Sequence, residues 1–277
     1  MRRGETLSDP IVRDIPAYRV DTFGDRSSDL LVAVFVINEG EKVRKQLQRM
    51  QPLTADVDIV VADGGSTDGS LDEDYLRRVG VRALLTKTGP GKLSAQMRMA
   101  FAWALDQGYA GVIAIDGNGK DGVEAIPDFA RLLREGYDHV QGSRFIPGGK
   151  AVNTPLSRLV GLRVLHAPLI SMASGVKQTD TTNGFRGYSA ALLADTDVDV
   201  FRDVFQTYEL HYHLAIESGR LKRFRTIETP VTRTYPKGKV PTKISPVRGN
   251  AHVFHILLRA AAGAYRSDRS EKKDPNE

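Results

Sequence analysis

The stretch Gly111-Val-Ile-Ala-Ile-Asp116-Gly-Asn118-Gly-Lys120-Asp121 restricts the fold more than any other part of the chain. Its first half is a short apolar run, the pattern of a strand buried on both faces by helices packed on a parallel sheet. It then breaks into acidic, amide and glycine residues. Such a strand delivers polar side chains to the carboxyl edge of the sheet, where open α/β folds hold their ligands. Asp116 and Asn118 are two apart and project to one side of an extended segment. A carboxylate beside an amide oxygen suits a hard divalent cation, Mg2+ or Mn2+, that takes its other ligands from water and phosphate. An acidic turn closing a strand accounts for the same residues.

The flanking sequence repeats this arrangement. Leu30 to Ile37 and Val57 to Val61 are further apolar runs, ending in Asn38-Glu39-Gly40-Glu41 and in Asp63-Gly64-Gly65-Ser66-Thr67-Asp68-Gly69. Val81 to Leu85 is a weaker strand, and Asp138 leads another into Gln141-Gly142-Ser143-Arg144. Helical stretches separate them, reaching Arg49 and about Arg78, then spanning Leu93 to Leu105 and Val123 to Arg134. This alternation predicts an α/β domain over residues 29–249, Rossmann-like, with a mostly parallel central sheet flanked by helices. Residues 1–28, polar and with Pro10 and Pro16, read as an N-terminal extension on the domain surface. After Gly149 the alternation stops. Pro155 to Ser174 reads as an apolar helix that Pro168 divides. Thr179 to Tyr188 is turn-rich, Phe205 to Ser218 is helical, and Leu221 to Ile227 is a basic edge strand. Residues 233–249 read as a mobile basic loop, 250–266 as a C-terminal amphipathic helix, and 267–277 as a disordered tail.

Composition narrows the chemistry. The 277 residues carry a formal charge of +5, which suits a phosphate-bearing ligand or an anionic membrane surface and is too small to point to nucleic acid. Cysteine is absent, which excludes thiolate metal sites and cysteine nucleophiles. No apolar core follows the N-terminal Met-Arg-Arg, and no apolar run has the length of a membrane span, so a cytoplasmic protein is expected.

Three acidic or amide clusters at successive strand ends, Asn38-Glu39, Asp63 to Asp68 and Asp116 to Asp121, imply one shared binding site. Gly64, Gly65 and Gly69 let the backbone approach a ligand, while Ser66 and Asp68 could equally cap the following helix. Gly89-Pro-Gly-Lys92 lacks the phosphate-loop pattern; Lys92 is either a turn residue or a diphosphate contact. Ser143 and Arg144 suit a phosphate or sugar oxygen. Arg233, Lys237, Lys239, Lys243 and Arg248, interleaved with glycine and proline, suit a lid over an anion. The histidines form no site by spacing.

The order of these motifs resembles glycosyltransferase family 2, and within it the dolichol-phosphate-mannose synthase-like branch. The resemblance rests on Val36-Ile-Asn38-Glu39, Val61-Ala-Asp63-Gly-Gly-Ser-Thr-Asp68, Gly91-Lys92, Ile115-Asp116-Gly-Asn118, Gly142-Ser-Arg144-Phe and Thr179-Asp180-Thr-Thr-Asn-Gly184-Phe185-Arg186. It implies a GT-A fold, a nucleotide-diphosphate sugar donor, a divalent metal at an Asp-x-Asp motif and inversion at the anomeric carbon. By that resemblance Asn38, Glu39 and Asp63 hold the base and ribose, and Asp116 meets donor and metal. Ser143 and Arg144 face sugar or acceptor, Asp180 and Arg186 belong to the acceptor side, and the segment around Lys243 folds over the donor phosphates. The acceptor is a polyprenyl phosphate or a small hydroxylated molecule, with peripheral membrane contact and self-association both open. Glu209 and Asp180 are the candidate bases for a hydroxyl acceptor, and a relative that binds the donor without turnover is the further alternative. Two departures bear on the metal: Asn118 stands for the second aspartate, and Lys120 stands where this branch often has glutamine.

Overall fold

The apolar runs become central strands because their alternate side chains find a helical layer on either face of the sheet. In β2 (Leu30–Val36) every residue is buried. Leu31, Ala33 and Phe35 enter one core and Leu30, Val32, Val34 and Val36 the other. The computed structural model describes residues 13–236 and 248–267.

Along the chain, β1 (Tyr18–Thr22) and β2 precede α1 (Glu41–Met50), β3 (Asp58–Asp63), α2 (Glu73–Arg78), β4 (Val81–Lys87), α3 (Leu93–Asp106) and β5 (Gly111–Asp116). Then come α4 (Ile126–Arg134), β6 (His139–Ser143), β7 (Lys150–Val152), α5 (Leu156–Gly161) and α6 (Ala167–Ser174). The C-terminal part holds β8 (Arg186–Ser189), α7 (Ala190–Ala194), α8 (Glu209–Arg220), β9 (Thr226–Pro230), β10 (Thr232–Thr234) and α9 (Arg248–Ala261). Eight strands form one sheet in the order β1-β4-β3-β2-β5-β8-β6-β9, and β10 pairs with β7 in a small second one. The strands β4, β3, β2 and β5 are parallel neighbours. One face of the sheet is covered by side chains from α3, α8 and α9, the other by α1, α2 and α4.

Several expectations are corrected. The N-terminal extension is not merely laid on the surface: Tyr18 to Thr22 pair antiparallel with Lys87 to Ala83 as an edge strand. That strand is mostly exposed, so it carries no apolar run by which to recognise it. The turn-rich Thr179–Tyr188 segment ends in β8, which inserts antiparallel between β5 and β6. Its Arg-Gly-Tyr-Ser sequence has no apolar run, and its buried Arg186 is accommodated by donating to backbone carbonyls. The basic edge strand begins later, at Thr226, and runs parallel to β6. Arg233 is not in a loop. It lies in β10 and is buried, paired with the Asp116 and Asp121 carboxylates. Pro168 does divide its helix: it stands in the first turn of α6, after a π-helical turn over Leu162–His166. Of the basic segment, residues 237–247 lie outside the described residues, so the expectations for Lys237, Lys239 and Lys243 are not addressed by the structure.

Candidate active site

The carboxyl ends of β2, β3 and β5 lie side by side through the register that pairs Val36 with Asp63 and Phe35 with Asp116. Sequence clusters separated by dozens of residues therefore meet at one edge. At the β2–β3 end the loops lock each other through neutral donors. The Ser66 amide donates to both oxygens of Asp63 at 3.0 and 2.9 Å, and Ser66 Oγ donates to Asp63 Oδ1 at 2.6 Å. The Asn38 amide donates to Ser66 Oγ at 2.9 Å, and Asn38 Oδ1 accepts from the Thr67 amide at 2.8 Å. Asn38 has a left-handed φ of 47°, a conformation asparagine tolerates better than most residues. The Asp68 carboxylate accepts from the Gly40 amide at 2.8 Å and from Ser70. The Ser70 hydroxyl, ahead of these amides, holds the Asp68 carboxyl below the ordinary range even though it is largely exposed. Ser66 and Asp68 thus join two loops rather than cap α2, whose cap is Asp72. Gly64 packs closely: a Cβ there would meet Ile37 Cβ and the Val36 carbonyl at 3.3 Å. Glu39 lies 3.5 Å from Lys42 Nζ.

The β5 end is built differently. Asp116 Oδ2 accepts from Asn118 Nδ2 at 3.2 Å and from Arg233 Nη2 at 3.3 Å. Arg233 Nη1 donates to Asp121 Oδ2 in a short, fully buried contact. Burial alone would lower the Arg233 pKa, but Asp121 and Asp116 reverse this and raise it. Asp121 is pushed upward by burial, against the pull of Arg233, and its Oδ1 has no hydrogen-bond partner. Gln46 of α1 fixes the turn: its Nε2 donates to the Asp116 carbonyl at 3.0 Å and its Oε1 accepts from the Gly119 amide at 2.8 Å. Gly184 lies against the Asp116 carboxylate, where a Cβ would sit 3.2 Å from Oδ1. That contact brings the 179–186 segment over the end of β5.

Arg144 and Asp180 form the third element. Arg144 Nε donates to Asp180 Oδ2 at 2.6 Å, Nη2 to Oδ1 at 2.8 Å, and the Arg144 amide to Oδ2 at 3.1 Å. Both side chains are buried. Ser143 Oγ lies 2.6 Å from Thr179 Oγ1, whose amide donates to Glu228 at 2.7 Å. Burial raises the Glu228 pKa against the Thr179 bonds. Arg186, expected on the substrate side, spends its guanidinium on the carbonyls of Asn183, His211 and Thr181. It stands behind the site and shapes the 181–183 loop. Glu209 is similarly occupied: its carboxylate accepts from the Gln206 amide at 3.0 Å, the Thr207 amide at 2.5 Å and Thr207 Oγ1 at 2.7 Å, holding the start of α8. Lys92 immediately precedes α3 with an exposed side chain, and its amide donates to the Gln206 carbonyl at 2.8 Å.

Sequence reasoning missed Gln46, Gln96, Asp121 as an ion-pair partner, and Glu228. Gln96 Nε2 donates to the Val36 carbonyl at 2.9 Å and to that of Ala62, tying the ends of β2 and β3 together from α3. A glutamine within an otherwise apolar helix face was the available signal. A cavity of about 400 Å³ opens nearby between Phe145, Arg163, Ala167, Lys177 and Thr179.

A divalent cation held by Asp116 and Asn118 does not fit these residues. Asp116 Oδ2 accepts from both Asn118 and the Arg233 guanidinium, which puts a fixed cation against the carboxylate; Asn118 Oδ1 accepts from the Lys120 amide at 3.2 Å, and Asp121 is tied to Arg233.

No family model matches the chain. It is 30% identical over 207 residues to an undecaprenyl-phosphate mannosyltransferase of Micrococcus luteus, covering 73% of this chain and 82% of the relative. It is 28% identical over 208 residues to a polyprenol monophosphomannose synthase of Mycolicibacterium smegmatis, covering 74% and 77%. Glucosyl-3-phosphoglycerate synthase from Mycobacterium tuberculosis, solved with Mn2+, UDP and phosphoglyceric acid, superposes with a TM-score of 0.60 at 18% identity, over 84% of this chain and 78% of that one. That likeness establishes the GT-A fold. With the six motifs in order along one sheet edge, and with these relatives, the chain belongs to glycosyltransferase family 2, in its dolichol-phosphate-mannose synthase-like branch.

Proposed function

We propose that this protein transfers a hexose from a nucleoside-diphosphate sugar to a polyprenyl phosphate. The base and ribose lie against Asn38, Glu39 and the Asp63–Asp68 loop, and the diphosphate runs to the Asp116 turn. An acceptor phosphate oxygen attacks the anomeric carbon from the face opposite the leaving group. The bond from that carbon to the β-phosphate oxygen breaks, and the nucleoside diphosphate leaves with the electron pair, so configuration inverts.

The observation that carries the acceptor class is the state of the two candidate bases. Both oxygens of Asp180 are held by Arg144, and the Glu209 carboxylate is held by the Gln206 and Thr207 amides. A hydroxyl nucleophile needs a base to take its proton, whereas a phosphate arrives ionised. The cavity bordered by Arg163 and Lys177 suits an anionic headgroup. Beside it Leu156, Val160, Val164 and Met172 are 74, 53, 72 and 76% exposed, which supports contact with a lipid surface. Among the described residues no helix is long and apolar enough to cross a membrane. The names of the two relatives make mannose the first sugar to test.

The test is incorporation of labelled sugar from a panel of GDP-, UDP- and dTDP-sugars into vesicles containing undecaprenyl phosphate, followed by organic extraction. Label in the organic phase from one donor is the expected result. Transfer to soluble hydroxylated acceptors with none to the lipid phosphate would overturn the acceptor class.

A further inference from the structure

The Asp116 turn holds as many cationic side chains as anionic ones. Asp116 and Asp121 are the anions. Arg233 is anchored between them with one-tenth of its side chain exposed. Lys120, on the same turn, is half-buried, with Nζ 5.4 Å from the Tyr235 ring centroid. The two cations are also linked through the backbone: the Thr234 amide donates to the Lys120 carbonyl at 2.8 Å, and Asp121 bridges Arg233. Strand β10 therefore holds the turn and its arginine as one unit. A divalent ion placed against Asp116 would meet Arg233 at ion-pair distance and an amide that presents its nitrogen to the carboxylate. Relative to an Asp-x-Asp motif followed by glutamine, Asn118 removes one negative charge and Lys120 adds one positive, a change of two charges in the sense that a divalent cation would supply.

We infer that in this protein the leaving diphosphate is met by Lys120 while Arg233 occupies the Asp116 and Asp121 carboxylates in place of an ion, and that donor binding needs no divalent metal. Lys120 stands at the rim of the turn and donates to the phosphate oxygens. Arg233 stays on Asp116 and Asp121 and screens their charge from the phosphates. Fixed cations aimed where charge develops on the leaving group serve transfer as a bound metal would. The inference rests on the proposed transferase reading, which supplies the diphosphate.

The experiment is titration calorimetry of the full chain with GDP, UDP and dTDP, in EDTA and in millimolar Mn2+. The expected result is that the diphosphate that binds does so with Kd values agreeing within about twofold in the two buffers, and that K120Q weakens binding in EDTA by about tenfold, the scale of one charge-assisted contact. The N118D/K120Q variant should regain a preference of about tenfold or more for Mn2+ and should bind the ion directly, seen as loss of the free Mn2+ paramagnetic resonance signal. Wild-type binding at least tenfold tighter in Mn2+ than in EDTA, or an unchanged affinity in K120Q, would overturn the inference and leave the transferase reading intact. Binding of no diphosphate in either buffer would overturn both. The wild-type comparison stands even if the double variant does not fold.

Discussion

The two halves of the site edge hold their shape by different means. In the β2–β3 half the two loops are joined by hydrogen bonds from backbone amides and serine hydroxyls, spanning at most 29 residues of chain, and Gln96 ties the strand ends across 34 and 60. The half formed by β5, β6, β8 and β10 is joined by buried ion pairs whose partners lie 36 to 117 residues apart. Hydrogen-bonded turns can be lost one at a time at about 1 kcal/mol each. A buried charge stripped of its partner costs several times more. The nucleotide half should therefore tolerate substitution, while the transfer half should fail as a unit.

The sharpest way to break this contrast is R233A. It strands Asp116 and Asp121 together and should cost about 3–5 kcal/mol. At this chain length that lowers the melting temperature by on the order of 10 °C, readable by calorimetry. A loss below about 1 kcal/mol would erase the distinction between the halves. R144A should follow at about 3 kcal/mol, since Asp180 is left fully buried. R144A/D180N should recover part of that loss, and a double-mutant cycle measures how much.

Acid should separate the halves in the same direction. All six histidines lie after residue 138. Burial, with Arg186 and His211 adding to it, lowers His139 to about 3, and burial lowers His213 to about 4. A depressed folded-state pKa means the unfolded chain binds more protons below 6.5. Stability is therefore intact above that pH and is lost as pH falls toward the folded values, by about 1.4 kcal/mol per pH unit for each histidine. Denaturant titrations between pH 7 and 5 should show this slope, and H213Q should reduce it. Hydrogen exchange should rise first in β6 and α8.

Smaller effects test the positioning residues. Q46A removes both bonds that fix the Asp116 turn and should cost about 1–2 kcal/mol, with weaker donor binding measured by calorimetry. S66A removes the hydroxyl that bridges Asp63 and Asn38 and should cost about 1 kcal/mol in denaturant unfolding, leaving the R233A deficit additive to it.

This division also explains what could be read from the sequence. Asn38, Asp63 and Asp116 stand directly after apolar runs, so the strand pattern alone places them at one edge. The fold class follows from the same runs. Arg233 gave no such sign. It sits among loop-like residues, and only the return of the chain as β10 beside β7 brings it against Asp116. Asp180 and Glu209 were visible as acids, but whether an acid is free or held depends on donors that no spacing rule brings into view. Strand β8 was hidden because, flanked by β5 and β6 on both sides, it needs only one large core side chain, Tyr188, beside the arginine and glycine.

The central claim is that one nucleoside diphosphate spans both halves. The most direct test is a crystal structure of the chain with the diphosphate that binds. The expected result is the base against Asn38 and the Asp63–Asp68 loop, with the phosphates beside Lys120 at the Asp116–Arg233 pair. A nucleotide bound away from the β2, β3 and β5 ends, or phosphates remote from the Asp116 turn, would contradict it.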